Sequence, residues 1–445
     1  MTRDSIHRNT PMNQLKHALW IAIAGAAFAL SACGGGNSSQ GSNTVGWNAT
    51  PDWITPPGSG TSGGGQTNNG QAAPGANTVP ISVDTSAGGI NRAYVTIKLC
   101  VPGAVSDAQC ATVDHVILDT GSTGLRISAR AIPALAPMLL TQAGASDDKD
   151  GSSPIEECLP FVSGFTWGSI KRADVTIGPK TASNIPIQVV SDGAFAVPSE
   201  CVAHNGTDLG DRDLLPGNGI LGIDNFTADS ADALTSATPP LYYYCTSQTN
   251  CVATRMTASK EVRNPVTAFA SDNNGTVIRL PAVPAGGQAS VTGQLVFGVS
   301  TQSNNMLPST AKILTLDKYG NFTTQYKGRV YNWSAIDSGT PTYAFPDDSI
   351  PTADGFYTPS NPISLMASME STNGTGSPIS MTFNVANAIS LLANNFAAYD
   401  SLGENYSNSK NAMFLWGLPF FYGRDVYTVI GNVKIGNQTG PFTAF

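Results

Sequence analysis

Asp119-Thr120-Gly121-Ser122 and Asp337-Ser338-Gly339-Thr340 share one pattern: Asp, a hydroxyl residue, Gly, a hydroxyl residue. The first follows Val116-Ile117-Leu118 and the second follows Ala335-Ile336, so each Asp stands where an apolar strand runs out. The glycine lets the backbone turn sharply and approach its surroundings. The flanking hydroxyls are placed to hydrogen-bond the carboxylate or the opposite loop and so fix its direction. One such tetrad alone reads as an Asx turn. By ordinary residue frequencies one turns up in roughly one chain of this length in fifty, and a pair is about a hundredfold rarer. A pair, far apart in the chain and each at a strand end, predicts two loops that meet about a pseudo-twofold axis. Carboxyls brought together there cannot both ionise easily and share one proton. One serves as base while the other donates a hydrogen bond, and a water between them can attack an amide.

The rest of the chain suits that expectation. At 445 residues it is long enough for two lobes with substantial cores. Charged residues make up 12% of it, about half the usual share, while Gly and Pro are plentiful. That composition fits a mostly β exported protein rich in turns. The net charge of -8 argues against nucleic acid as a partner. Near the N-terminus Arg3, His7, Arg8 and Lys16 precede an apolar run from Trp20 to Leu30, the layout of a signal peptide over residues 1–32. Leu30-Ser31-Ala32-Cys33-Gly34 resembles a bacterial lipobox. The resemblance implies cleavage before Cys33, acylation of its thiol, and anchorage of the protein to the outer membrane without a transmembrane span.

Residues 33–78 are Gly, Ser, Asn, Gln, Thr and Pro with scattered apolar residues, a disordered tether reaching roughly 35–40 Å as a random coil. Folded sequence begins near Val79. Tyr94-Val95-Thr96-Ile97-Lys98-Leu99 alternates as a half-buried strand does, and Thr112–Leu118 is another strand running into Asp119. Further strands are expected at Ala173–Ile177, Ile185–Val190, Val277–Leu280, Gln294–Phe297 and Tyr427–Ile430, with Pro216-Gly217-Asn218 and Asp272-Asn273-Asn274-Gly275 as turns. Val385, Ile389, Leu392 and Phe396 fall on one stripe of a helix of three or four turns, and a shorter helix is expected over residues 131–140. Six cysteines remain besides Cys33. An even set in an exported chain reads as disulfides, with fifteen possible connectivities. Sequential pairing is the simplest: Cys100 with Cys110 and Cys245 with Cys251 close short loops, leaving Cys158 with Cys201. Without a CxxC pair, and with only His115 and His204 beyond the signal segment, no metal and no cofactor is expected.

With both tetrads in place, the chain resembles the pepsin-like aspartic peptidases, the established example of a proton-sharing Asp pair. The resemblance extends past the tetrads. Arg92–Leu118 resembles the hairpin leading to the first Asp, with an insertion carrying Cys100 and Cys110. Phe165-Thr166-Trp167-Gly168-Ser169 is similar to the flap that closes over substrate, and Asn218-Gly219-Ile220-Leu221-Gly222-Ile223 to the strand that crosses behind the first loop. Gly293-Gln294-Leu295-Val296-Phe297-Gly298 resembles the strand leading out of the first lobe. Leu415-Trp416-Gly417 with Phe420-Phe421 and Tyr427-Thr428-Val429 resembles the matching segment behind the second loop. The resemblance implies a mostly β, bilobal acid-protease fold of two six-stranded-type lobes, residues 79–300 and 301–445, with a cleft between them and few short helices. It also implies that Asp119 and Asp337 are the catalytic pair. Thr120 and Ser338 would interlock the loops, Gly121 and Gly339 would turn them, and Ser122 and Thr340 would steady the carboxyls. The partner would be an extended polypeptide or peptide-like ligand, bound by a monomer.

Departures from the family pattern stand beside the matches. Phe165 takes the place of the flap Tyr, Arg126 that of a Trp, and Pro341 that of a small hydroxyl residue; Trp167 is then the ring left to cover the cleft. The tether contains no Lys or Arg and so cannot act as the basic prosegment of secreted relatives. The altered flap keeps a second reading open, a non-catalytic lipoprotein that binds a peptide, glycan or envelope partner in the same cleft. The sequence argues against a serine hydrolase: Gly60-Thr61-Ser62-Gly63-Gly64 lies in the tether, without the strand and helix a nucleophile elbow needs. The lipobox, the tether and Val116–Arg126 also resemble an uncharacterised proteobacterial lipoprotein family carrying a domain of unknown function.

Overall fold

A computed structural model describes residues 76–445 apart from 162–163, 211–214, 216 and 407–412. The expected signal peptide, Cys33 and the tether as far as residue 75 lie outside the described residues. The principal strands of the first half are β1 (Thr78–Val83), β2 (Ala93–Cys100), β3 (Cys110–Asp119), β4 (Thr123–Ser128), β5 (Ile155–Phe161), β6 (Gly164–Ile177), β7 (Lys180–Val190), β8 (Gly219–Ile223), β9 (Tyr242–Ser247), β10 (Gly275–Leu280) and β11 (Val291–Phe297). The second half contributes β12 (Phe322–Tyr326), β13 (Arg329–Ile336), β14 (Tyr343–Phe345), β15 (Ile363–Glu370), β16 (Ile379–Val385), β17 (Gly403–Asn405) and β18 (Met413–Trp416). Two more, β19 (Arg424–Val429) and β20 (Phe442–Ala444), close the chain.

The protein is mostly β, built on two large sheets. The larger sheet holds β9-β5-β6-β7-β4-β8-β3-β2-β1-β11-β10-β19-β20 in spatial order, and the smaller holds β17-β14-β18-β13-β12-β15-β16. The last two strands thus belong to the sheet begun by the first half: β19 pairs antiparallel with β10, and β20 with β19. Strands at the centre of a sheet covered on both faces read as unbroken apolar runs. Gly219-Ile220-Leu221-Gly222-Ile223 and Met413-Phe414-Leu415-Trp416, both wholly buried, do so.

The same three-strand figure occurs in both sheets. β3 runs into Asp119, β4 leaves the loop, and β8 lies between them, parallel to β3 and antiparallel to β4. β13 runs toward Asp337, β14 leaves, and β18 lies between, parallel to β13 and antiparallel to β14. The cores behind these figures differ in kind. The first is aliphatic, around Ile97, Leu118, Leu125, Ile127, Val189 and Leu221. The second is a lattice of rings in which Phe414 lies 5.0 Å from Phe345 and 4.8 Å from Trp416, while Phe383 meets Trp416 at 5.1 Å.

The disulfides pair sequentially: Cys100–Cys110 pins the β2–β3 hairpin, Cys245–Cys251 pins the turn after β9, and Cys158–Cys201 ties β5 to the helix α1 (Ser199–Asn205). The expected helices are where the structure differs. Residues 131–140 form no α-helix, only 3-10 turns at Ala129–Ala131 and Ala136–Met138, since Pro137 enters the second of these turns. The expected stripe from Val385 to Phe396 shrinks to α2 (Ala388–Leu392). Val385 ends β16 instead, Asn387 caps the helix by accepting from Ser390 N at 3.2 Å, and Asn395 takes a left-handed φ of 52° just beyond it. Ile389, on the expected apolar stripe, is 63% exposed. Among the described residues no helix is long and apolar enough to cross a membrane.

Candidate active site

The two Asp loops meet where the three-strand figures face each other, and four buried hydrogen bonds cross between them. Thr120 N donates to Ser338 Oγ at 3.1 Å, and Ser338 N donates to Thr120 Oγ1 at 3.0 Å. Thr120 Oγ1 then donates to Ile336 O at 3.1 Å and Ser338 Oγ to Leu118 O at 2.7 Å. Each hydroxyl accepts from the opposite loop and donates to the strand before it, so the interlock is reciprocal. Ordinary polar residues with one donor and two lone pairs suffice to build it.

Each carboxyl is held within its own loop in the same way. Asp119 accepts from Gly121 N at 2.6 Å through Oδ1 and from the Ser122 hydroxyl through Oδ2. Asp337 accepts from Gly339 N at 3.4 Å through Oδ1 and from Thr340 Oγ1 at 3.2 Å through Oδ2. Both carboxyls are buried and converge on Gly121, whose N–H donates to Asp119 while its Cα lies against the Asp337 carboxyl. So close is the approach that a Cβ on Gly121 would stand 2.5 Å from the Asp337 carboxyl, leaving room only for glycine.

Burial raises the proton affinity of both groups. For Asp119 desolvation is opposed by the bonds from Ser122 and Gly121, and its carboxyl rises above the usual range. For Asp337 desolvation is reinforced by the charge of Asp119, and the rise is much larger. The donors at Asp119 are the closer set, so its carboxylate form is favoured more than that of Asp337.

Two residues passed over in the sequence complete the centre. Arg92, at the foot of β2, is buried and donates through Nη1 to the Gly339 carbonyl, with Asp119, Asp337 and Glu404 in its electrostatic field. Asn91 beside it is a clamp between the sheets. It donates to Pro341 O at 2.7 Å and Tyr399 O at 2.8 Å, and accepts from Tyr399 N at 2.7 Å and Tyr422 Oη at 2.9 Å. The only local signal for either was a cation and an amide directly ahead of a strand in a chain poor in charge.

A cavity opens beside the pair, with Thr120, Gly121 and Asp337 on one wall and Phe226, Tyr319 and Leu415 among its other lining residues. Phe165 and Trp167 do not line it. They pack into a cluster with the Cys158–Cys201 disulfide and Tyr243, and Trp167 Nε1 donates to Phe195 O at 3.0 Å. The expectation that either ring covers the cleft is corrected by this burial. Every residue of β5 is buried, so the hairpin has no solvent face on which the rings would have to lie. Arg126, the third departure, is buried in a polar cluster with Glu157, Asp229 and Tyr242.

Buried carboxyls elsewhere in this half give a stability prediction. Desolvation pushes Glu156 up to about 8 and Glu261 up to about 7. Between the ordinary value near 4.5 and these raised values the folded chain keeps protons that the unfolded chain has released. Stability is then full below about pH 4.5 and falls as pH rises toward 8, each such group contributing at most about 1.4 kcal/mol for every pH step of one. Differential scanning calorimetry is expected to show Tm falling on the order of 10 °C between about pH 4.5 and pH 8, with a shallower fall in Glu156→Gln. A Tm flat across that range would contradict this account of the burial.

Interlocked loops at the meeting of two like β figures, each loop holding a buried carboxyl, are the arrangement that the resemblance to the pepsin-like peptidases implied. The chain belongs to the family described as protein of unknown function (DUF3443), whose model matches residues 73–445. No curated protein matches the sequence. Among solved structures the chain is similar to the crystal structure of an aspartic proteinase from Irpex lacteus. That match has 15% sequence identity and a TM-score of 0.45, and it covers 82% of this chain and 96% of the other. Three disulfides are the mark of an exported chain.

Proposed function

We propose that this protein is an aspartic endopeptidase of the cell envelope, anchored through acylated Cys33 and cleaving extended polypeptides. The observation that carries the reading is the convergence of two buried carboxyls on Gly121, each oriented by a hydroxyl and a backbone N–H. In this reading a water lies between them. Asp119, ionised, takes a proton from the water as its oxygen bonds to the scissile carbonyl carbon, and Asp337 gives its proton to the carbonyl oxygen. The resulting tetrahedral diol collapses with proton transfer to the amide nitrogen; the C–N bond breaks, and the pair is left with one proton as before. Cleavage of a denatured, unstructured protein is expected between about pH 3 and pH 7, with new N-termini at internal bonds identified by mass spectrometry. Peptide binding without new termini at any pH would favour the second reading, a non-catalytic binding lipoprotein. The burial of Phe165 and Trp167 in a cluster apart from the cavity lining is the observation on its side.

A further inference from the structure

Arg126 is 1% exposed and makes three kinds of contact at once. Its Nη1 donates to Thr123 O at 2.6 Å, immediately after the first Asp tetrad. Its Nη2 donates to Glu157 Oε1 at 2.8 Å on β5 and to Asp229 Oδ2 at 2.9 Å in the segment after β8. The Asp229 carboxyl is itself held. Tyr242 Oη donates to Asp229 at 2.7 Å and accepts from Val262 N at 2.9 Å, and Tyr242 sits opposite Glu157 in the β9–β5 register. The Glu157 backbone is fixed in turn by Gln188 Nε2 at 2.9 Å. A planar fork of donors fits this arrangement, whereas an ammonium would supply charge at a single point.

We propose that Arg126 is a positioning residue for the first Asp loop, held by Glu157, Asp229 and Tyr242 so that it fixes Thr123 and lends its positive charge to ionised Asp119. The inference rests on the peptidase reading for its role in catalysis but not for its electrostatics. Asp119 feels Arg126 as a favourable charge. The other ionisable groups facing the pair are Asp337 itself and Arg92, with Glu404 beyond Arg92; those facing Arg126 are Glu157, Asp229 and Tyr242, with Glu261 beyond Asp229. Removing the guanidinium withdraws a charge that favours carboxylate at Asp119, while neutralising Glu157 removes a negative charge that offsets it. The two changes have opposite signs, which a merely structural role would not produce.

The test is a titration of the Asp carboxyls by carbon-13 NMR in the full chain, which needs no turnover, together with the pH profile of peptide cleavage. Arg126→Met is expected to move the Asp119 titration, and the acid limb of the profile, up by about half to one pH unit. Glu157→Gln is expected to move both down by a smaller amount. Arg126→Lys, which keeps the charge and loses the fork, is expected to hold the titration near wild type while kcat falls about tenfold or more at little change in KM. Should Arg126→Met fail to fold, the Glu157→Gln and Arg126→Lys pair carries the test. Titrations that stay put in Glu157→Gln, or that move the same way in all folded variants, would overturn the proposal. Titration shifts in the expected directions without any cleavage would support the electrostatics and count against the peptidase reading alone.

Discussion

Asp119→Asn and Asp337→Asn are each expected to lower peptide cleavage by about three orders of magnitude or more, at every pH. In the proposed mechanism the two carboxyls work as one unit that shares a proton, so an amide at either position leaves the pair without a base or without an acid. For the same reason the double variant is expected to be no worse than either single one. Folding is not at issue. Asn keeps an oxygen for Gly121 N or Gly339 N, its amide NH2 can donate to the Ser122 or Thr340 hydroxyl, and the pair loses its buried charge or its repulsion, so Tm is expected to hold or rise. Wild-type activity is expected to extend above the ordinary carboxylate range, because burial raises both groups and Asp337 the more strongly. Measured kcat/KM for the four proteins across pH decides the matter. Equal cleavage by wild type and Asp337→Asn would remove the pair from the chemistry.

Thr120→Val together with Ser338→Ala is expected to cost roughly 4–12 kcal/mol of stability. The pair of changes strands Thr120 N, Ser338 N, Leu118 O and Ile336 O in a buried place, and each orphaned group costs about 1–3 kcal/mol. That is a large share of the roughly 5–15 kcal/mol that keeps a domain folded. Each single change strands one N–H and one carbonyl, so each is expected to account for about half. Urea unfolding monitored by tryptophan fluorescence is the measurement. A double variant within about 1 kcal/mol of wild type would show that the crossed bonds are replaced by others. Activity is expected to fall with stability here, since the same four bonds set the separation of the carboxyls.

How much of this was legible in the sequence follows from the range of the interactions involved. The tetrads, the strands that end in them and the short-loop cysteine pairs are local patterns. The structure brings Asp119 and Asp337 together, each bonded to a hydroxyl of its own tetrad. The second helix was misread because Val385 and Phe396 share a helical spacing by accident; one ends a strand and the other follows a left-handed Asn. The orientation of Phe165 and Trp167 was illegible because a strand buried on both faces has no alternation to read. Arg126 was visible as an oddity, but its meaning lies in Glu157, Asp229 and Tyr242, which only the folded chain brings to it. Arg92 and Asn91 act across to Gly339, Pro341, Tyr399 and Tyr422, contacts with no trace in local sequence.

The return of β19 and β20 to the first sheet bears on the order in which this molecule can be made. A chain synthesised N-terminus first delivers β1, β10 and β11 well before Arg424–Val429 and Phe442–Ala444. Until those last strands arrive, the β10 edge stays open, an unpaired template for any other strand that passes. The first half is thus half a machine waiting for the final stretch of its own chain, and a ribosome that stops early leaves not a smaller protein but a sticky one.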